Sequence, residues 1–97
     1  MKTIIAGLSF EWDDEKAREN IRKHKVRFET AAKVFADPDY VEYPDEAHSD
    51  DEIRYKVVGM VESLLLVVCT DRENMTRIIS ARKANDKERR FYNEYRA

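Results

Sequence analysis

Residues 54–81 read RYKVVGMVESLLLVVCTDRENMTRIISA and contain three segments rich in apolar residues. Polar and apolar side chains alternate at the start of residues 54–60, residues 63–70 are mostly leucine and valine, and residues 76–81 form the third segment. A run such as 63–70 is typical of a central strand that is covered on both faces. The links at 61–62 and 71–74 are short, which predicts hairpins and a sheet that is at least partly antiparallel.

The sequence before this stretch predicts one short strand and two helices. Residues 9–12 alternate between polar and apolar, as in a half-buried strand. Asp13 stands at an N-cap position, so the first helix is predicted from Asp14 to about His24. The second helix begins near Phe28 and must end before Pro38, because proline disfavours helical backbone in the preceding residue.

The remaining segments complete an α+β domain. Residues 40–43 are predicted as an edge strand and the acidic residues 45–51 as an exposed loop. Residues 85–88 have the spacing of a capping box and open a last helix to about Tyr95. The predicted order is β-α-α-β-β-β-β-α, a small antiparallel twisted sheet with two N-terminal helices and one C-terminal helix in a single domain, 1–97.

Composition excludes several classes of protein. The 97 residues carry 18 Lys and Arg against 20 Asp and Glu, and a net charge of −2 argues against a histone-like polycation. A hydrophobic content of 42% is too high for a disordered chain. We expect no membrane span and no signal peptide, and the single cysteine, Cys69, fits a reducing cytoplasm.

The charges are unevenly distributed along the chain. Residues 37–52 contain eight acids and no Lys or Arg, whereas residues 75–97 contain seven bases and three acids, a net +4. This asymmetry suggests a local anion-binding face, nucleic acid being the commonest large polyanion. A solvated helix face with ion pairs explains the charges equally well. A more specific feature is therefore needed to choose between these two interpretations.

The sequence gives little support for a metal site, a cysteine nucleophile or a glycine-rich nucleotide-binding loop. His24 and His48 are far apart in sequence, and Cys69 lies in an apolar strand where a buried thiol is expected. The two glycines form neither a phosphate loop nor a dinucleotide fingerprint. We therefore predict no metal and no cofactor.

Arg77 lies on the third predicted strand, where side chains two apart share a face. We expect Arg77 and Ile79 to face one way, and Ile78 and Ser80 the other. Arg77 is then either a charge that protects an edge strand from aggregation or a guanidinium that holds phosphate.

Two further arginines complete a cationic group. Arg82 stands at the end of the third strand, toward the cleft between sheet and last helix, and Arg54 opens the first of the three strands. Converging guanidiniums stabilise a phosphate transition state, because their contacts strengthen as charge develops. Cleavage of RNA at the 2′-hydroxyl also needs proton transfer. The available groups are Glu52, His24, Lys23 and several tyrosines.

Three groups of residues stand in a characteristic order along the chain. The first comprises FEWD at 10–13, Lys16, Asn20, KH at 23–24, Phe28, AA at 31–32 and VFADP at 34–38. The second comprises HSDDEIRY at 48–55 and Gly59, and the third RIISARKA at 77–84, KER at 87–89 and Tyr92. In order and spacing, this set resembles the BrnT toxin family over nearly the whole chain.

The resemblance implies the toxin of a bacterial type II toxin–antitoxin pair with a RelE-like fold, which cleaves RNA without a metal and inhibits translation. It implies a BrnA-like partner with a ribbon-helix-helix region, in a heterotetramer of two copies each that contacts operator DNA through the antitoxin. The alternative is a non-catalytic RNA-binding or protein-interaction module on the same fold.

The sequence departs from the family pattern at two places. Lys25 occupies the position after Lys-His where the family usually has glycine, and a turn with positive φ would tolerate lysine there at a cost of about 1 kcal/mol. Residues 1–9 extend upstream of the usual start, and the sequence leaves their structure open.

The candidate site residues fall into a catalytic group and an RNA-binding group. The predicted catalytic residues are Arg77 and Arg82, then Arg54, Glu52 and His24. Glu52 is either a general base or a residue that orients Arg54, and His24 fits either acid–base chemistry or a structural role. The residues predicted to contact RNA are Lys23, Lys83, Arg89 and Arg90; the last two also suit the acidic loop or the antitoxin.

Overall fold

The computed structural model describes residues 1–48 and 52–95. The elements are β1 (Lys2–Ile5), β2 (Leu8–Glu11), α1 (Asp14–His24), α2 (Phe28–Ala32), β3 (Val41–Pro44), β4 (Arg54–Val61), β5 (Ser63–Arg72), β6 (Met75–Lys83) and α3 (Asp86–Tyr95). Short 3₁₀ turns occupy Lys33–Ala36 and Glu46–His48. In these described parts, no helix is long and apolar enough to cross a membrane.

The strands form one sheet in the order β1-β2-β6-β5-β4-β3. The predicted α+β class is confirmed, with β4, β5 and β6 joined as antiparallel hairpins and β3 at one edge. Two features of the sheet that the sequence did not predict come from the first eleven residues. β1 forms a hairpin with β2, and β2 pairs with β6 in parallel, which is the one parallel pair among the described strands.

The two faces of the sheet are covered unequally. α1 and α2 cover one face, where Phe28 and Ala31 pack with Val57, Val67 and Ile78 of the sheet in the larger core. α3 covers only part of the opposite face, which we call the α3 face, through a smaller core (Val41, Val58, Leu64, Leu66, Ala84 and Tyr92). The rest of the α3 face is not covered by α3, so its side chains can form a site.

The α1–α2 connection is attached to the sheet by a buried asparagine. The Asn20 side chain donates to the Val26 carbonyl at 2.9 Å and to the Ala81 carbonyl at 2.8 Å, and it accepts from the Ala81 N–H at 3.1 Å. α1 ends where Lys25 adopts φ 60°, and its N–H bonds to the Ile21 carbonyl. The positive-φ turn considered from the sequence is therefore present at Lys25.

α3 is held to the rest of the domain by Asp37. The Tyr92 hydroxyl donates to Asp37 Oδ2 at 2.6 Å, and the Met60 N–H donates to the same oxygen at 2.8 Å. One carboxylate therefore joins the end of the second helical segment, strand β4 and the last helix.

A bulge in β6 changes which of its side chains share a face. Val68 lies opposite Ser80, but the next residue, Cys69, lies opposite Ile78, so Ile79 is an extra residue in β6. The expectation that Ser80 faces the same way as Ile78 is wrong, because the bulge shifts the alternation by one residue. As a result, Arg77 and Arg82, five positions apart, both lie on the α3 face.

Replacing Lys25 by glycine should stabilise the domain. Removing the Cβ relieves the left-handed backbone, and we expect the free energy of unfolding to rise by about 0.5–1 kcal/mol. Urea unfolding of Lys25→Gly and Lys25→Ala tests this, since both lose the side chain but only glycine loses the Cβ. An equal effect of the two substitutions would contradict the prediction.

Candidate functional site

A row of polar side chains crosses the α3 face from strand to strand. Glu11 of β2 lies opposite Arg77 of β6, Arg77 lies opposite Thr70 of β5, and Thr70 lies opposite Arg54 of β4. The Cα atoms of Arg54 and Arg77 are therefore about 10 Å apart, with one strand between them. Strand register thus places two of the predicted arginines in line.

Arg54 and Arg82 meet around a cavity of about 240 Å³ beside this row, which we call the arginine cavity. Arg54 and Lys56 of β4 line it from one side, and Arg82 of β6 lines it from the other. Its other lining residues are Asp45, Leu66, Val68, Ile79 and Ser80. Three cations in a concave surface with an apolar floor can attract an anion, because the floor weakens solvent screening.

Arg82 is oriented by Glu88 of α3. Arg82 Nη1 and Nη2 donate to the two carboxylate oxygens of Glu88 at 2.8 and 2.9 Å, and Nη1 also donates to the Lys83 carbonyl at 3.2 Å. Glu88 in turn completes the predicted capping box: it accepts from the Asn85 N–H, and its own N–H donates to Asn85 Oδ1, both at 2.9 Å. The start of α3 therefore sets the position of the guanidinium.

The Arg82–Glu88 pair alters the protonation of both groups. Burial raises the pKa of Glu88, but the hydrogen bonds from Arg82 and from the Asn85 N–H outweigh it and hold that pKa below its ordinary value. The bonds to Glu88 raise the pKa of Arg82. The pair is thus fully ionised at neutral pH.

Arg54 has a carboxylate beside it as well. Arg54 Nε lies 3.4 Å from Glu52 Oε1, and Arg72 Nη2 lies 3.7 Å from Glu52 Oε2. Glu52 is therefore held between two guanidiniums next to the arginine cavity, as expected of a residue that orients Arg54.

Arg77 pairs with Glu11, a residue that our site prediction missed. Glu11 Oε1 lies 3.6 Å from Arg77 Nη1, and it is buried without a hydrogen-bond donor among the residues that the structure describes. The sequence contained a signal, since Glu11 belongs to the FEWD group at 10–13. Its meaning depends on the parallel pairing of β2 with β6, which local patterns do not specify.

Asp45 and Lys56 also enter the site without having been predicted there. Asp45 opens the acidic segment that was expected to be an exposed loop, yet it is 4% exposed and lines the arginine cavity. Its N–H donates to the Arg54 carbonyl at 3.0 Å, which ties the segment to β4. Residues 49–51 of the same segment lie outside the described residues.

Several predicted residues lie away from the arginine cavity. Lys23 and His24 are exposed at the end of α1, on the opposite side of the sheet, and Lys23 pairs with Glu19 at 3.5 Å. Lys83 lines a separate cavity with Lys25 and Arg27. Arg89 and Arg90 are exposed on α3.

The structure gives little basis for thiol chemistry. Cys69 is fully buried in β5, and burial raises the pKa of its thiol well above the usual range. In residues 1–48 and 52–95, no three His, Cys, Asp or Glu side chains are grouped to hold a metal ion. The cationic site is the strongest candidate in the described chain.

Comparison with known proteins agrees with this fold. Residues 12–88 match a family described as "Ribonuclease toxin, BrnT, of type II toxin-antitoxin system". The fold is similar to the crystal structure of the Brucella abortus ribonuclease toxin BrnT, with a TM-score of 0.63 and 23% identity over 79% of this chain and 96% of that one. A search of curated proteins finds no match.

Glu88→Gln should remove an acid-sensitive contribution to stability. We expect the free energy of unfolding to fall by about 1–3 kcal/mol at pH 7, because the glutamine remains buried beside Arg82 but carries no charge. The lowered pKa means that the wild-type contribution is complete above about pH 4.5 and is lost as the pH falls further.

Urea unfolding from pH 7 to pH 3 checks this prediction. The difference between wild type and Glu88→Gln should shrink below about pH 4.5. Glu94→Gln, an exposed change on the same helix, serves as the control. A difference that stays constant with pH would contradict the role assigned to the ion pair.

Proposed function

The chain belongs to the BrnT family of ribonuclease toxins of type II toxin–antitoxin systems, and we propose that it cleaves RNA without a metal ion, by attack of a ribose 2′-hydroxyl on the adjacent phosphate. The observation that carries this proposal is the arginine cavity, where Arg54, Lys56 and Arg82 surround one concave surface. Negative charge accumulates on the phosphorus oxygens in the transition state, and preorganised cations stabilise it without reorganisation.

Arg82 still has hydrogen-bond donors for a phosphate. Of the five guanidinium N–H groups, three are engaged by Glu88 and the Lys83 carbonyl within the described residues. The Nε–H and the second Nη2–H form the remaining fork, and a phosphate can accept from both. Glu88 therefore orients Arg82 while leaving it able to bind the scissile phosphate.

We assign the proton transfer to the carboxylate inside the cavity. Asp45 lines the same surface as Arg54 and Arg82, which supports assigning it as the acceptor of the 2′-hydroxyl proton. Glu52, between Arg54 and Arg72, is assigned as a positioning residue. The ammonium of Lys56 would stabilise charge on the leaving 5′-oxygen.

Arg77 is assigned to the neighbouring phosphate of the RNA chain. It lies on the α3 face in line with Arg54 but does not line the arginine cavity. Consecutive phosphates of an extended strand can then follow the row of side chains across the sheet.

The proposed partner is a BrnA-like antitoxin with a ribbon-helix-helix region, two copies of which bind two copies of this chain in the cytoplasm. The net charge of −2 is consistent with operator DNA being bound through the antitoxin. The arginine cavity is the surface that an antitoxin has to cover or distort to stop cleavage.

Purified protein should cleave RNA in the presence of EDTA, and Arg82→Lys should lower kcat/KM at least about 100-fold. Lysine retains the charge but not the fork of donors. Arg18→Ala is the control, because Arg18 is an exposed arginine on α1, away from the cavity. Salt-sensitive RNA binding without cleavage would instead support the non-catalytic module.

Asp45→Asn and Glu52→Gln should lower the rate of RNA cleavage by different amounts. We expect Asp45→Asn to lower kcat by about 100-fold or more, as loss of a general base does. Glu52→Gln should lower kcat less, because it only weakens the orientation of Arg54. The reverse result would make Glu52 the base, and thermal melting of both variants controls for folding.

A further inference from the structure

A second cavity of about 380 Å³ adjoins the arginine cavity at the base of α3. We call it the aromatic cavity, because Tyr43 of β3 and Phe91 of α3 line it. Lys56 and Arg82 line both cavities, and the other residues lining the aromatic cavity are Asn85, Lys87 and Glu88. The two cavities are therefore parts of one continuous surface.

The two aromatic rings are half-buried and nearly perpendicular. Their centroids are 4.9 Å apart and their planes meet at 72°. A planar ligand that stacks on the face of one ring meets the edge of the other, an arrangement that aromatic quadrupoles favour. Tyr95 packs on the far part of the cluster, with its centroid 4.7 Å from that of Phe91. The rings are thus braced in position.

We propose that the aromatic cavity binds the nucleobase of the nucleotide whose phosphate occupies the arginine cavity. The inference rests on the proposed ribonuclease function. A ribose separates base from phosphate in every nucleotide, so adjoining aromatic and cationic cavities that share two cations match its shape and charge. Base stacking on an aromatic ring tolerates any sequence, because every base has a π-face.

The polar groups around the rings suit such a ligand. Burial, aided by the nearby Glu88 carboxylate, raises the pKa of Tyr43, so its hydroxyl keeps its proton and can donate a hydrogen bond. Lys56 Nζ lies 5.9 Å from the centroid of the Tyr43 ring, where a cation–π contact holds it between the two cavities. A base bound here would lie beside the Lys56 ammonium, which the Tyr43 ring already shields from water on one side.

Binding of small probes to the full-length protein tests the proposal. We expect adenosine 5′-monophosphate to bind about tenfold more tightly than ribose 5-phosphate, which carries the same sugar and phosphate without a base. Phe91→Leu should remove this preference while keeping apolar volume in the core. Tyr40→Leu is the matched control, since Tyr40 is an exposed aromatic that packs on Phe35 outside the cavity.

Comparing the binding of adenosine 5′-monophosphate and ribose 5-phosphate to the wild-type protein tests the base site even if Phe91→Leu fails to fold. Equal binding of the two probes, or no measurable binding of either, overturns the base site, and the cavity would then suit an apolar side chain of a protein partner. An RNA cleavage assay on the same preparation separates the two proposals. Cleavage without a base preference overturns only the base site, whereas a base preference without cleavage overturns only the ribonuclease assignment.

Discussion

The arrangement of cations on the α3 face depends on one extra residue in β6. Side chains alternate along a regular strand, so Arg77 and Arg82, five positions apart, would otherwise point to opposite faces. Ile79 is inserted where Val68 and Cys69 meet β6, and it restores both arginines to one face. Bulges commonly redirect side chains next to functional sites. Here the bulge keeps positive charge away from the face that α1 and α2 bury.

Arg54, Arg77 and Arg82 on the α3 face each have a carboxylate beside them. The pairs are Arg54–Glu52, Arg77–Glu11 and Arg82–Glu88. A long side chain loses rotamer freedom when it binds an anion, and a carboxylate that fixes it during folding removes most of that cost from the binding step. The acids of this chain therefore hold its cationic side chains in position, so a site for an anion can form in a protein of net charge −2.

Features set by local spacing could be predicted from the sequence, and features set by long-range register could not. Asn85 and Glu88 are three residues apart, so their reciprocal hydrogen bonds followed from the sequence pattern. The burial of Asp45 depends on pairing with β4, and the Glu11–Arg77 contact joins residues 66 positions apart through a parallel pair of strands. An acidic segment has the same composition whether its first carboxylate faces water or a cavity.

The position of α3 in the chain has a consequence during protein synthesis. The six strands of the described chain, and Arg54, Arg77 and Arg82, precede α3, yet Glu88 orients Arg82 and Tyr92 ties the helix to Asp37. A nascent chain interrupted before residue 86 therefore contains Arg82 without the carboxylate that orients it, and it lacks the Phe91 ring that lines the aromatic cavity. Translation therefore supplies the partner of Arg82 last, so a product truncated before α3 lacks the ordered form of this arginine.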